Sequence, residues 1–246
     1  MTDQLDPASS IDSRKIFERT LRLEEVAKDH VQAWLEDDFH HFGVDLFHRQ
    51  GKVVDVAVDV RRLPWTTCPA AGAVLKALIG QALDPRAYQL STRIRINDHC
   101  THMFELAALL MAHALRGSSR IYQIQVYERS LTAFSTAADP RLIVRLVAEG
   151  QIAAEWELHG EIIIRPKGLT GQHIIKEFRL LLDRLDPQVA EQAWIMRRAA
   201  WLALGDKKFV AMPTAAGHDL EGVCYTYQSP RSATAYAVAG SRQTRP

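Results

Sequence analysis

Several absences narrow this chain before any motif is read. Cysteine is scarce: only Cys68, Cys100 and Cys224 occur in 246 residues. An odd and widely spaced trio makes no disulfide framework, and it reads as three reduced thiols in a cytoplasmic protein. No apolar run approaches the roughly 20 residues of a membrane span. The start, Met1-Thr2-Asp3-Gln4-Leu5-Asp6-Pro7, is acidic and lacks the apolar segment of a signal peptide. Neither sign of charge dominates, since 30 Lys plus Arg face 29 Asp plus Glu. No basic excess points to nucleic acid, and no nucleic-acid-binding motif is present. Gly-rich phosphate loops, kinase signatures and a nucleophile elbow are all missing, which argues against a nucleotide cofactor.

What is present supports a real core: 47% of the residues are hydrophobic, enough to fold without staples. Alternation at Thr20-Leu21-Arg22-Leu23-Glu24 predicts strands over 15–24 and 28–36, and the turn Arg49-Gln50-Gly51-Lys52 leads into a Val-rich strand over 53–60. A helix is expected over 70–79, capped by Thr67 and stopped by Gly80. After a loop containing Pro85 and a short segment over 88–96 comes a central helix at about 101–116. A second meander follows at 120–129, 142–148, 152–158 and 161–165, then helices over about 172–185 and 188–204, the last stopped by Gly205. The order of strands, Pro-containing turn and helix occurs twice. The expected fold is α+β, with two antiparallel meanders forming a curved sheet, or a pair of sheets, around buried helices. One domain spans 13–210, with an internal duplication of 13–117 and 118–185 as an open reading. Residues 1–12 form a flexible tail, and 211–246 pack back on the domain.

The central helix carries the chemistry-bearing stretch Asn97-Asp98-His99-Cys100-Thr101-His102-Met103-Phe104-Glu105-Leu106. It is apolar almost all round, as a buried helix is, except along the stripe of His102, Glu105, His113 and Arg116. Buried charges need partners, so Cys100, His102 and Glu105 line a candidate site. The bland alternative is a helix start whose polar groups satisfy backbone donors. His40, His41, His48, His99 and His102 make up half of the ten histidines, and imidazole suits acid–base work near neutral pH. His102 stands at the helix N-terminus, which favours neutral imidazole, and one turn before Glu105, which favours the charged form. These opposing pulls predict a value near neutrality. The His, Cys and Glu spacing matches no zinc pattern, and no metal or other cofactor is expected. Cys68, before Pro69 and near a helix start, is a candidate for a lowered pKa, although a buried structural thiol is the simpler reading.

Three pieces together resemble the bacterial domain-of-unknown-function family 2889. They are Asp38-Phe39-His40-His41-Phe42, then Leu63-Pro64-Trp65-Thr66-Thr67-Cys68-Pro69-Ala70-Ala71 with Leu78-Ile79-Gly80, and Cys100-Thr101-His102-Met103-Phe104-Glu105-Leu106. The tail piece Gly222-Val223-Cys224-Tyr225 fits as well. This chain has His99 where that family usually has Gly, and Met103 where Leu is common. The resemblance implies catabolism of lignin-derived aromatic compounds. The implied reaction is a cofactor-independent carbon–carbon lyase that removes a hydroxymethyl group as formaldehyde. His102 would then be the base, Glu105 its orienting group and His40 or His41 the acid, with Cys100 beside them. Phe39, Phe42, Trp65, Cys68, His99 and Tyr225 would line the site for a small aromatic substrate. Two readings stand against this one: a non-catalytic module that binds a small molecule or a protein, and a metal-dependent hydrolase or isomerase. Nucleic-acid and membrane partners are not expected, and a homo-oligomer is left open.

Overall fold

The computed structural model describes residues 13–129, 141–209 and 212–240, with side chains throughout except at 206–209. The expected tail over 1–12, and residues 211 and 241–246 of the expected C-terminal tail, lie outside the described residues. Eight strands form one antiparallel, curved sheet that does not close. They are β1 Ser13–Ala27, β2 His30–Asp37, β3 His41–Arg49, β4 Lys52–Arg62, β5 Arg120–Arg129, β6 Arg141–Ala148, β7 Gln151–His159 and β8 Ile162–Arg165. The order across the sheet is β4-β3-β2-β1-β5-β6-β7-β8. Two four-stranded meanders therefore abut through β1 and β5, and each runs outward from that seam.

Alternation fixes which side faces the core. Phe17, Leu21 and Leu23 on β1, Val31, Ala33 and Leu35 on β2, and Phe42, Val44 and Leu46 on β3 are all buried at every second position. A slip of one residue would turn each of these sets to the opposite face. The turns are tight. Gln50 and Gly51 both take positive φ (50° and 73°), as do Glu149 and Gly150 (50° and 77°), the signature of a two-residue turn whose twist suits a hairpin. On the outer face, Gly43 lies opposite Trp34, and a Cβ there would sit 2.8 Å from the indole.

The helices differ from the sequence expectation in instructive ways. The stretch expected as one helix over 70–79 is a 3-10 turn Cys68–Ala70, a single α turn α1 (Ala71–Val74) and a second 3-10 turn Leu75–Leu78. Thr67 makes no cap; its hydroxyl pairs instead with that of Thr226 at 3.1 Å. A second short turn, Ala87–Gln89, leads into α2, Leu90–Arg93. The central helix α3, Thr101–Ala114, packs on β1, β2 and β3 and is buried from Met103 to His113. The helix expected over 172–185 shrinks to α4, Phe178–Leu182. His173 Nδ1 accepts the backbone N–H groups of Ile175 and Lys176, and Glu177 sits in the left-handed region (φ 55°), so the chain enters α4 from a turn. Finally α5, Pro187–Phe209, begins with Pro at its first position and with Asp186 Oδ1 accepting the N–H of Gln188 at 2.9 Å. Gly205 does not stop it; helical backbone continues through the glycine. α5 packs on β1, β5 and β6, beside α3 on the same face of the sheet. No helix among the described residues is long and apolar enough to cross a membrane.

Candidate functional site

The site begins with two polar residues standing where the strand pattern calls for apolar ones. Arg19 falls between Phe17 and Leu21 on the buried face of β1, and Asp37 continues the series Val31, Ala33, Leu35 on β2. The two are direct cross-strand partners. Arg19 donates through both Nε (3.0 Å) and a terminal nitrogen (2.6 Å) to Asp37 Oδ2. The other oxygen, Oδ1, organises the turn into β3. It accepts the backbone N–H of Phe39 (2.9 Å) and of His40 (2.8 Å), and the Nδ1–H of the His40 ring (2.9 Å). Arg62 braces the same turn by donating to the Asp37 carbonyl at 2.7 Å.

His40 is thereby held with one ring nitrogen on a carboxylate, facing the first turn of α3. Its ring centroid is 4.2 Å from that of His102. His40 is buried, and His102 keeps part of its surface exposed, although its Nε2 is shut away without a partner. One turn further along α3, Glu105 lies between two guanidinium groups, 3.6 Å from Arg19 and 3.5 Å from Nε of Arg198 on α5. Asp37, Arg19, Glu105 and Arg198 thus form a buried line of alternating charge across β2, β1, α3 and α5. The histidine pair lies beside its Asp37 end.

Charge sets the protonation states. Burial alone would raise the Asp37 carboxyl, but the charges of His40 and Arg19 and the hydrogen bond from His40 outweigh it and hold it well below the usual range. His102 is pushed well below its ordinary value by burial first, then by the positive fields of His40, Arg19 and Arg198; Asp37 pulls the other way. The expected balance near neutrality is therefore corrected, and His102 is a neutral imidazole at pH 7. The reason lies with Glu105. It makes no hydrogen bond to His102, its Oε1 has no partner, and its charge is engaged by the arginines. Burial raises the Glu105 carboxyl, against the pull of Arg198 and Arg19. Asp37, in place of Glu105, is the carboxylate that orients a histidine here.

The remaining sequence-derived candidates separate into groups. Phe39 and Phe42 meet His40 edge-on, with centroids 6.3 and 6.4 Å away. His41 points away from the cluster, edge-on to Trp34 (5.6 Å) and 3.8 Å from Glu36. Trp65 packs edge-on with His218 (5.4 Å) and Tyr227 (6.1 Å). Tyr225 donates its N–H to the His99 carbonyl at 2.8 Å, and its ring carries the Arg231 guanidinium. The His99 ring lies 5.3 Å from Phe104, with its pKa lowered by burial.

Cys68, Cys100 and Cys224 are free thiols. They lie near enough that Cys68 and Cys224 each act on Cys100, and Cys68 Sγ is 3.4 Å from the Thr226 hydroxyl. Burial pushes the Cys68 thiol up to about 11 and drives Cys100 higher still, so both stay protonated at pH 7, a poor state for a nucleophile. No group of three or more His, Cys, Asp or Glu able to hold a metal ion occurs among the described residues.

Arg19, Asp37 and Arg198 were not legible as site residues from motif spacing. The first two had a signal all the same: Arg19 interrupts the apolar alternation Phe17, Leu21, Leu23, and Asp37 ends the alternation Val31, Ala33, Leu35. Arg198 gave none, because whether a helical arginine is buried depends on which element covers it.

An α+β protein, with one curved antiparallel sheet covering two long helices and a cluster of buried charges and histidines between them, is the class that fold and site define. Within it, residues 17–116 match the family described as a protein of unknown function (DUF2889), so the chain resembles that family over this stretch. The matched segment contains Arg19, Asp37, His40, His102 and Glu105, and it ends before Arg198 and the 222–225 tail piece. No curated protein matches the chain.

Proposed function

We propose that the protein is a cofactor-independent carbon–carbon lyase acting on lignin-derived aromatic compounds, releasing a hydroxymethyl group as formaldehyde by acid–base chemistry. The observation that carries this reading is the neutral His102 beside a His40 held by the Asp37 carboxylate. Two imidazoles in different environments are what a reaction needing a base and an acid at once requires.

In the proposed step His102 takes the proton of the CH2–OH group. The carbon–carbon bond to that group breaks, the freed carbon becomes formaldehyde, and the bonding pair forms a new carbon–carbon double bond. The benzylic carbon–oxygen bond breaks as that double bond forms, and His40, held through Nδ1 by Asp37, supplies a proton to the departing oxygen. The balance is redox-neutral and calls for no cofactor. Phe39 and Phe42, edge-on to His40, contribute apolar walls. The choice of aromatic substrates rests on the family resemblance; the acid–base part rests on the histidine pair.

The test is a panel of aromatic dimers bearing a hydroxymethyl group beside a benzylic oxygen, with formaldehyde and the alkene product measured together. Stoichiometric release of both supports the reading. Binding without release across the panel would favour a non-catalytic binding module.

A further inference from the structure

Beyond the histidine pair, on the α5 side of the charge line, a cleft of about 450 Å³ opens between α4, α5 and the start of α3. Its size falls in the range of small-molecule sites. Its wall carries three aromatic side chains near the arginines: Phe178 from α4, and Trp194 and Trp201 from α5. Between them stand Arg197 and Arg198. The Arg198 guanidinium lies 5.7 Å from the Trp201 ring centroid and that of Arg197 lies 5.5 Å from Phe178.

The charge inventory at the inner end of this cleft does not balance. Among the described residues, Arg19, Arg197 and Arg198 share only Asp37 and Glu105, and Asp37 is committed to Arg19 and His40. Arg198 is nine-tenths buried, its Nε has no hydrogen-bond partner, and it lines the cleft. Burial and the adjacent Arg198 lower Arg197 to about 10, with Glu105 opposing, so the two cations press on each other. At the rim, Glu177 and Arg179 are both exposed and add one charge of each sign. Glu105 is the one carboxylate that Arg198 meets, at 3.5 Å, and it is shared with Arg19, so an anion in the cleft would offset the positive charge that Arg197 and Arg198 leave in excess there. Thr101 also faces the cleft, at the first position of α3, where the helix dipole favours negative charge.

We infer that this cleft is a binding site for an aromatic carboxylic acid, with the carboxylate on Arg198 and Arg197 and the ring among Phe178, Trp194 and Trp201. Guanidinium groups match a carboxylate in geometry and charge, and the aromatic wall matches a flat ring. The role of such an acid as substrate or effector rests on the lyase reading; its binding does not.

Titration of the intact protein by tryptophan fluorescence and by calorimetry, with benzoate and 4-hydroxybenzoate against benzamide and acetate, tests the site. Aromatic carboxylates should bind about tenfold or more tightly than the neutral amide, a ratio in keeping with a charge-assisted hydrogen bond. Acetate should be weaker than benzoate, because it lacks the ring. Arg198→Gln should remove the preference for benzoate over benzamide. Since Arg198 also meets Glu105, Trp201→Ala provides an independent reading: it should weaken benzoate several-fold and leave acetate unchanged. Equal binding of benzoate and benzamide, or unchanged benzoate binding in either folded variant, would overturn the inference. A His102→Asn variant separates the two proposals: benzoate binding should persist there while formaldehyde release is lost. Benzoate binding in a protein that releases no formaldehyde from any substrate would leave the acid site standing and remove the lyase.

Discussion

Arg19 and Asp37 face each other across β1 and β2, both buried, with two guanidinium nitrogens on a single carboxylate oxygen at 3.0 and 2.6 Å. That arrangement leaves the second oxygen free to build the turn that presents His40. One carboxylate thus serves both the sheet, through Arg19, and the candidate site, through His40.

Removing it should therefore cost more than a surface ion pair does. Asp37→Ala strands Arg19 in the core and frees the His40 turn, so a loss of about 3–5 kcal/mol is expected, the usual range for breaking a buried pair from one side. Replacing both partners by apolar residues, Arg19→Met with Asp37→Leu, should cost less than the two single changes added together. Urea denaturation of the four proteins measures the difference. Strict additivity would show that the two side chains are not coupled.

His113 gives a pH dependence whose sign can be worked out. It lies in the last turn of α3, where the helix dipole favours a charged ring, yet burial first, then Arg120 and Arg116, lower it to about 4. The unfolded chain takes up that proton near about 6.5, so between roughly 6.5 and 4 the native state binds fewer protons than the unfolded one. Stability should fall as pH drops through that window and flatten below it. His102 and His99 act in the same sense; Glu105, whose carboxyl is raised, acts against them. His113→Leu removes one contributor together with two unpaired buried nitrogens. Its gain in melting temperature over the parent should be larger at pH 5 than at pH 8. Equal gains at the two values would mean that the ring does not titrate on unfolding.

Local patterns carried much of the fold and little of the site's wiring. Alternation and turn chemistry located the meanders, because Leu21 and Leu23 or Gln50-Gly51 act through their neighbours in sequence. The helices expected over 70–79 and 172–185 break up where other contacts compete: Thr67 pairs with the distant Thr226, and His173 captures the N–H groups of Ile175 and Lys176. His102 and Glu105 stood out on an apolar helix. Their partners did not, because Arg19, Asp37 and Arg198 come from three other elements, and only tertiary packing shows that Glu105 faces arginines and not His102.

The three cysteines should respond to folding. About three thiols should react with a disulfide reagent under denaturing, non-reducing conditions. In the native protein Cys68 and Cys100, both buried and held protonated, should react slowly, while the partly exposed Cys224 reacts first. Fast native labelling of Cys100, read by mass spectrometry, would contradict the burial that argues against its acting as a nucleophile.

Turnover should depend on His102 more than on Glu105. Because burial, with Arg19 and Arg198 acting in the same direction, keeps His102 neutral, it can accept a proton at pH 7, and loss of a general base typically costs about 10²–10⁴ in rate. His102→Ala should therefore reduce formaldehyde release by that order while the protein stays folded. His40→Ala should lower the rate as well, through loss of the acid. Glu105→Gln should affect the rate less and the melting temperature more, since it removes the carboxylate that separates Arg19 from Arg198 and leaves two buried guanidinium groups facing an uncharged amide. The pH profile adds a check that a purely structural role would not pass. With His102 held well below its ordinary value, the acid limb of kcat/KM should lie below about 6.5, the value of a free imidazole. Rates and melting curves taken on the same preparations separate the roles: a folded His102→Ala variant with undiminished release would take His102 out of the mechanism. A Glu105→Gln variant that melts like the parent would break the charge line that ties α3 to β1 and α5.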